Sequence, residues 1–245
     1  MNDKDYWKGL LYQAYVSSGQ AQAATTTPEA FFLPNAPYLI RLIRRHIPPD
    51  REIRIIDLGC GSGGCLYFLK RAGYRNVAGV DVSSEQVDQA RRLGIVEAQQ
   101  GELDQFLRTS LPGSVDVILL LDVLEHFQRD ELFEILTRVH GVLKPDGRCI
   151  VHVPNGEGLY GMRIRYGDLT HEQAFTAKSL HQVFTVIGFR GVASYEERPH
   201  VHGFVSLFRR MLWMLGTSLH RVLLMAETGE RKFILSQNLL AVARK

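Results

Sequence analysis

The 245-residue sequence predicts a doubly wound α/β fold on a mostly parallel sheet, with a helical insertion before the last strand. Three observations predict it. From residue 54 onward, short apolar runs alternate with amphipathic helical stretches, the pattern of successive βαβ units. A glycine-rich turn follows the first run. The run VDVILLL at 115–121 is apolar almost throughout, as a strand covered on both faces must be.

The elements follow in order. The stretch GQAQAATTTPEAFF (19–32) is small, polar and weakly periodic, which predicts a loop or mobile arm; residues 1–34 form an arm or lid. Tyr38, Leu39, Leu42 and Ile43 recur at helical spacing before Pro48 and Pro49, where a helix cannot continue. RIIDL (54–58) is the first strand, with a helix at 66–72. NVAGVDV (76–82) is the second; Ser83 and Ser84 offer an N-cap to EQVDQARRL, and Gly94 ends that helix. Residues 95–98 make a short third strand and 115–121 the fourth. Leu132, Leu136, Val139 and Leu143 mark a helix, KPDG (144–147) a turn and 149–153 a fifth strand. A helix at 177–187 and strands at 191–196 and 238–243 complete the domain. The forty residues between those strands exceed a hairpin loop and must carry helix. The core domain is therefore 35–198 plus 236–245, with 199–235 inserted.

Composition is that of an ordinary globular protein, 45% hydrophobic and 22% charged. A net charge of +3 is too weak to call for nucleic acid. Residues 200–245 nevertheless hold seven basic groups against Glu227 and Glu230. Cys60, Cys65 and Cys149 are odd in number and form no CxxC, so neither a disulfide framework nor a zinc module is indicated. The start lacks the apolar core of a signal peptide, and no run reaches the ~18–20 apolar residues of a membrane span. These features predict a cytoplasmic protein, with peripheral membrane contact left open.

IIDLGCGSGG (55–64) follows a strand and opens a helix. Gly59, Gly61 and Gly63 let the backbone approach a ligand, with helix N–H groups aimed at it. Asp81 closes the second strand about 20 residues on, where an acid can bind a ribose diol. A nucleoside cofactor follows. GCGSGG also satisfies the GxGxxG of NAD enzymes, but Asp57 lies inside this loop. An anion there opposes a pyrophosphate and suits a cationic amino-acid moiety.

With DLGCGSG, GVDVS, QGEL (100–103), VDVILLLDVLEH (115–126) and LKPDG (143–147) in order, the sequence resembles the class I S-adenosylmethionine-dependent methyltransferases over residues 35–195. The resemblance implies a Rossmann-like seven-stranded sheet with an antiparallel last strand, and S-adenosylmethionine as cofactor. It also implies Asp57 and Gly59 beside the methionine portion, Asp81 on the ribose, Glu102 and Leu103 flanking the adenine, and Leu121 beside the sulfonium. Glu102 replaces the more usual aspartate.

His126 lies just past the fourth strand and His171 beyond the fifth, at the carboxyl edge where such sheets bind ligands. Either is a candidate general base toward a hydroxyl, with His126 favoured by position. GDLTHEQAFTAKSL (167–180) resembles a D-x-T-H…F-T…S-L pattern of bacterial methyltransferases acting on glycans and related metabolites. Within it Thr176 is expected to cap a helix, Phe175 to anchor the loop, and Asp168 to lie near the site. His152 reads as a satisfied core histidine. Asp122, Glu125 and His126 would share one face of a helical turn, and with His171 they could hold a cation. That pattern looks like the E-x-x-E-H of small-RNA terminal 2′-O-methyltransferases, with Asp122 in place of a glutamate. L-E-H also occurs where no metal is used, so no metal is assigned; Asp122 and Glu125 read as helix-start and orienting groups.

FRRMLWMLGTSLHRVLLM (208–225) is basic and amphipathic, expected as a helix packed on the core with its arginines in solvent. A substrate cap, a dimer surface and a lipid contact all fit it. The function read from the sequence is O-methylation of a small-molecule or glycan hydroxyl, without nucleic acid. The alternatives are a metal-assisted RNA 2′-O-methyltransferase and a non-catalytic cofactor-binding protein with a membrane or partner-binding insertion; an NAD-dependent oxidoreductase ranks last.

Overall fold

In the computed structural model, residues 6–24 and 27–245 are described. The chain runs α1 (Tyr6–Gln13), α2 (Pro28–Phe32), α3 (Ala36–His46), β1 (Arg54–Leu58), α4 (Gly64–Arg71), β2 (Asn76–Asp81), α5 (Ser84–Arg92), β3 (Ala98–Gln100), α6 (Leu103–Thr109) and β4 (Val115–Leu121). It continues with α7 (Arg129–Val142), β5 (Leu143–Pro154), α8 (Gly161–Arg165), α9 (Ala177–Ile187), β6 (Arg190–Glu196), α10 (Phe204–Thr228) and β7 (Asn238–Arg244). The seven strands lie in the order β3-β2-β1-β4-β5-β7-β6, with β7 antiparallel to both its neighbours. This is the sheet the resemblance implies.

Alternation along the strands builds both layers. Ile55, Val117, Leu119 and Ile150 pack toward α3, α4 and α5. Ile56, Leu58, Ile118, Leu120 and Val151 face the opposite way, toward α6, α7 and α9. Ser83 caps α5 by accepting from Gln86 N–H, and Thr176 caps α9 in a capping box with Ser179. Phe175 is buried, as expected of an anchor.

Several boundaries differ from expectation. The third strand lies at Ala98–Gln100 rather than 95–98, because Ile95 turns into the core beside Gly63. The KPDG turn sits inside β5. Val115 pairs with Leu143 but Val117 with Arg148, so 144–147 loop out as a bulge at Asp146, whose φ is 62°. The stretch read as a loop at 19–32 contains α2, capped by Thr27; residues 25 and 26 lie outside the described residues.

Two corrections bear on function. DVLEHF does not begin a helix. The chain leaves β4 through Asp122 at φ 58°, makes a 3₁₀ turn at Leu124–His126, and starts α7 only at Arg129. Asp122, Glu125 and His126 therefore share no helical face. The insertion is one 25-residue helix, α10, and its sidedness is the reverse of the expected one. Arg210 and Arg221 turn inward, to Pro199 O and to Glu196 and Phe233 O, while the large apolar side chains face out.

Candidate active site

The carboxyl ends of β1, β2 and β4 meet at the glycine-rich turn. Gly59 and Cys60 N–H both donate to Val80 O, which folds the turn over β2. Gly59, Gly61 and Gly63 all have positive φ, and at Gly59 an added Cβ would overlap Cγ2 of Val123. Gly59 is therefore required twice, by backbone conformation and by space. Asp81 Oδ2 accepts Gly61 N–H at 2.8 Å and its Oδ1 accepts Ser83 N–H at 2.8 Å. Asp81 thus ties the turn to the start of α5.

Asp57 is almost fully buried, and its Oδ1 has no partner. Burial, followed by the nearby charge of Asp81, pushes its pKa up to about 7. An unpaired carboxylate in that position costs stability unless a cation pairs with it, and the ammonium of an amino-acid moiety meets that need. Glu102 sits exposed at the N-cap of α6, and Leu103 is buried beneath it. Both border the end of β3 beside the Asp81 carbonyl, which accepts Gly101 N–H. Leu121 ends β4 half-buried. The predicted cofactor residues thus lie along one edge, and the residues present fit S-adenosylmethionine.

His126 and His171 come together, with ring centroids 4.7 Å apart. Three contacts bring the 168–173 segment to the 3₁₀ turn: Glu172 N–H and Gln173 N–H donate to Glu125 O, and the Gln173 side-chain amide donates to Phe127 O. The hydrogen bonds also set both ring tautomers. Asp168 accepts from Tyr15 OH at 2.7 Å, from Thr170 N–H at 2.8 Å and from the Thr170 hydroxyl at 2.6 Å. Although burial opposes its charge, these bonds hold the Asp168 pKa below the usual carboxylate range. Thr170 has one proton, and it goes to that carboxylate, so His126 Nδ1, 2.8 Å away, must donate to Thr170 Oγ1. His171 Nδ1 lies 3.0 Å from Ile164 O, an acceptor only, and so donates as well. In the neutral form of either ring, the lone pair is then on Nε2. Burial, then the neighbouring His171, lowers the His126 pKa to about 4, which keeps that ring neutral.

Glu125 lies beneath them, fully buried, with both carboxylate oxygens unpartnered. Its Oε1 is 3.9 Å from His171 Nε2. Burial, then the charge of Asp122, pushes its pKa well above the carboxylate range. One ligating atom from each of Glu125, His126 and His171 lies within 4.8 Å of the others. Asp122 does not join this set. It accepts from His152 Nδ1 at 2.6 Å, and His152 Nε2 donates to Glu197 at 2.7 Å. A ring with a carboxylate at each nitrogen is an imidazolium, and its pKa is raised well above the ordinary value, against the effect of burial. His152 is a satisfied buried histidine, as read from the sequence.

Sequence reasoning missed the N-terminal contribution. The buried Lys8 donates to His126 O at 3.1 Å and pairs with Glu172 at 2.8 Å. The Tyr12 ring lies 6.0 Å from that of His126. Further along, Val16 and Ser17 N–H donate to Glu85, and Ala24 N–H to Gln89, both on α5. These contacts join residues more than 60 positions apart, and nothing local in the sequence signals them. Thr170 lay inside the D-x-T-H stretch, and that motif was the available clue.

A family model described as "Methyltransferase domain" matches residues 33–194. A ubiquinone biosynthesis O-methyltransferase from Rickettsia typhi is 29% identical over 124 residues, covering 48% of each chain. Trans-aconitate 2-methyltransferase from Pseudomonas aeruginosa is 33% identical over 111 residues, 45% of this chain and 39% of that one. The chain thus spans half or less of the length of these curated relatives. Among solved structures, an S-adenosylmethionine-dependent methyltransferase from Archaeoglobus fulgidus superposes with a TM-score of 0.66 at 21% identity, over 98% of this chain and 100% of that one. The matched domain covers well over half of the chain, and the fold is that of the superposed structure: this chain belongs to the methyltransferase-domain family.

Proposed function

We propose that the enzyme methylates a hydroxyl oxygen on a small metabolite or glycan-type acceptor, with His126 as the base. The observation that carries this reading is the Asp168–Thr170–His126 chain. It fixes one imidazole as the Nδ1–H tautomer and leaves Nε2 free, a few residues beyond the end of β4. S-adenosylmethionine, when bound, supplies a methyl carbon on a positively charged sulfur. The acceptor oxygen then needs only alignment and loss of its proton. As the new O–CH₃ bond forms and the sulfur–methyl bond breaks, that proton passes to His126 Nε2. Lys8, Tyr12 and Tyr15 pack against the same group of residues. The D-x-T-H stretch supports a glycan-type acceptor, and the name of the Rickettsia relative supports oxygen as the atom methylated. The test is S-adenosylhomocysteine release against panels of sugar, phenol, carboxylic-acid and amine acceptors. Turnover confined to acids or amines would overturn the hydroxyl assignment.

A second reading has its own observation, the unpartnered Glu125 carboxylate beneath two histidines with oriented Nδ1–H groups. Carboxylate and imidazole together suit a divalent cation, and hydrogen bonds at the far ring nitrogen are the usual support of metal-ligating histidines. Glu125, His126 and His171 would hold the ion, which would lower the pKa of an acceptor hydroxyl. His126 would then be a ligand and not the base. On this reading, purified enzyme contains about one equivalent of metal, chelator abolishes turnover, and Glu125→Gln loses the ion. On the first reading, chelator leaves turnover unchanged. Elemental analysis with chelator and metal add-back separates them.

A further inference from the structure

The geometry points to α10 as a membrane-docking element: we propose that its outer face lies in the headgroup–acyl boundary of an anionic lipid bilayer. The proposal does not depend on which acceptor is methylated.

The helix is built inside out for a globular protein. The stripe turned toward the body, Ser206, Arg210, Trp213, Thr217, Arg221 and Leu224, is largely polar. Its polar groups are satisfied at home: Arg210 by Pro199 O, Arg221 by Glu196 and Phe233 O, and the two hydroxyls by backbone carbonyls. The opposite side carries the large apolar residues. Phe204 is 93% exposed, Leu215 73% and Leu219 63%. At about 100° per residue, the exposed apolar side chains from Phe204 to Met225 span roughly half the helix circumference. Within that arc Ser218 is the one hydroxyl, and it bonds back to Met214 O and Leu215 O. No helix of the described residues is long and apolar enough to cross a membrane, so α10 is suited to lie in the interface.

Three features select a bilayer over a second protein. The apolar arc is far wider than the a/d seam that a partner helix covers, and a fluid apolar medium can wet all of it. The surrounding charge complements anionic headgroups. Arg209, Arg231 and Lys232 are exposed close by, beside Glu227 and Glu230. Apolar side chains are also exposed on the loop after β5. Tyr160, Met162, Tyr166 and Leu169 are exposed there with Arg163. That loop is joined to the return from α10 through Leu159 N–H to Leu235 O and the Asn155 amide to Ile234 O. Exposed tyrosines beside arginines are what a protein presents at headgroup level. β6 runs parallel to β5, since both are antiparallel to β7. α10 therefore leaves from the same sheet edge as the active site, and docking would turn that edge toward the lipid.

The test is co-sedimentation of the full chain with phosphatidylcholine vesicles, with and without 30% phosphatidylglycerol, at low and high salt. Binding to the anionic vesicles, at least tenfold weaker on neutral ones or in high salt, supports the proposal. Leu212→Glu with Leu215→Glu should abolish it while S-adenosylhomocysteine affinity, measured by calorimetry, stays within twofold. If the wild-type chain ignores anionic vesicles, the proposal fails even where the variant does not fold. It also fails if light scattering shows a dimer that the double substitution breaks while no vesicle binding occurs, because α10 would then cover a second copy.

Discussion

His126→Ala is expected to lower kcat by about 10²- to 10⁴-fold, the usual contribution of a positioned acid–base group, and to leave the affinity for S-adenosylhomocysteine within about twofold. The separation follows from the layout. The residues suited to the cofactor come from β1, β2, α6 and the end of β4, whereas His126 is held by Thr170 and Asp168 from the far side. Thr170→Val tests the same arrangement indirectly. It removes the acceptor for His126 Nδ1–H, so the ring loses its preferred tautomer and orientation, and kcat should fall by about tenfold. Restoration by Thr170→Ser, which returns the hydroxyl, would separate positioning from packing. Full activity in both His126→Ala and His171→Ala would dispose of a histidine base altogether.

Asp57→Asn should weaken S-adenosylhomocysteine binding by roughly 10- to 100-fold, about 1.5–3 kcal/mol for a hydrogen bond to a charged group. The wild-type protein should also show a pH dependence that the variant lacks. With a pKa of about 7 in the free protein, Asp57 is mostly neutral at pH 6 and half ionised at pH 7. An ammonium ligand pairs with the ionised form, so binding releases a proton and affinity rises about fivefold over that interval. The ligand's own ammonium, an amino-acid zwitterion's, titrates above this range and stays charged. Calorimetry in buffers of different ionisation enthalpy measures the proton directly. An affinity flat from pH 6 to 7 would mean that Asp57 is not the group that meets the ammonium.

The glycine-rich turn and the residues proposed to meet the cofactor were legible in the sequence because they are local. Asp57, Gly59, Gly61 and Gly63 sit in one turn, and Asp81 ends the next strand; strand, turn and helix each leave a short-range signature. The acceptor half was readable only in part. His126 and His171 were found by their places after β4 and β5. The helical face expected for Asp122, Glu125 and His126 failed at one backbone conformation, the positive φ of Asp122, which periodicity does not register. Tyr15 and Lys8 reach Asp168 and Glu172 across the whole domain, and only tertiary packing selects those partners. At α10 the apolar pattern predicted a helix, but a period cannot say which face turns inward. That depended on Glu196 and the carbonyl of Phe233, which hold Arg221.

The clamp from the first turns of the chain also sets a sequence of events in synthesis. Tyr15 and Asp168 are 153 residues apart, and Lys8 meets Glu172. The contacts of Val16, Ser17 and Ala24 with α5 can form earlier, but these two can form only after residue 172 has been made. By then β1, β2 and β4 have been made, and with them the groups suited to the cofactor. The bond that holds Asp168 to Tyr15 can therefore form only after the glycine-rich turn and Asp81 have both been made.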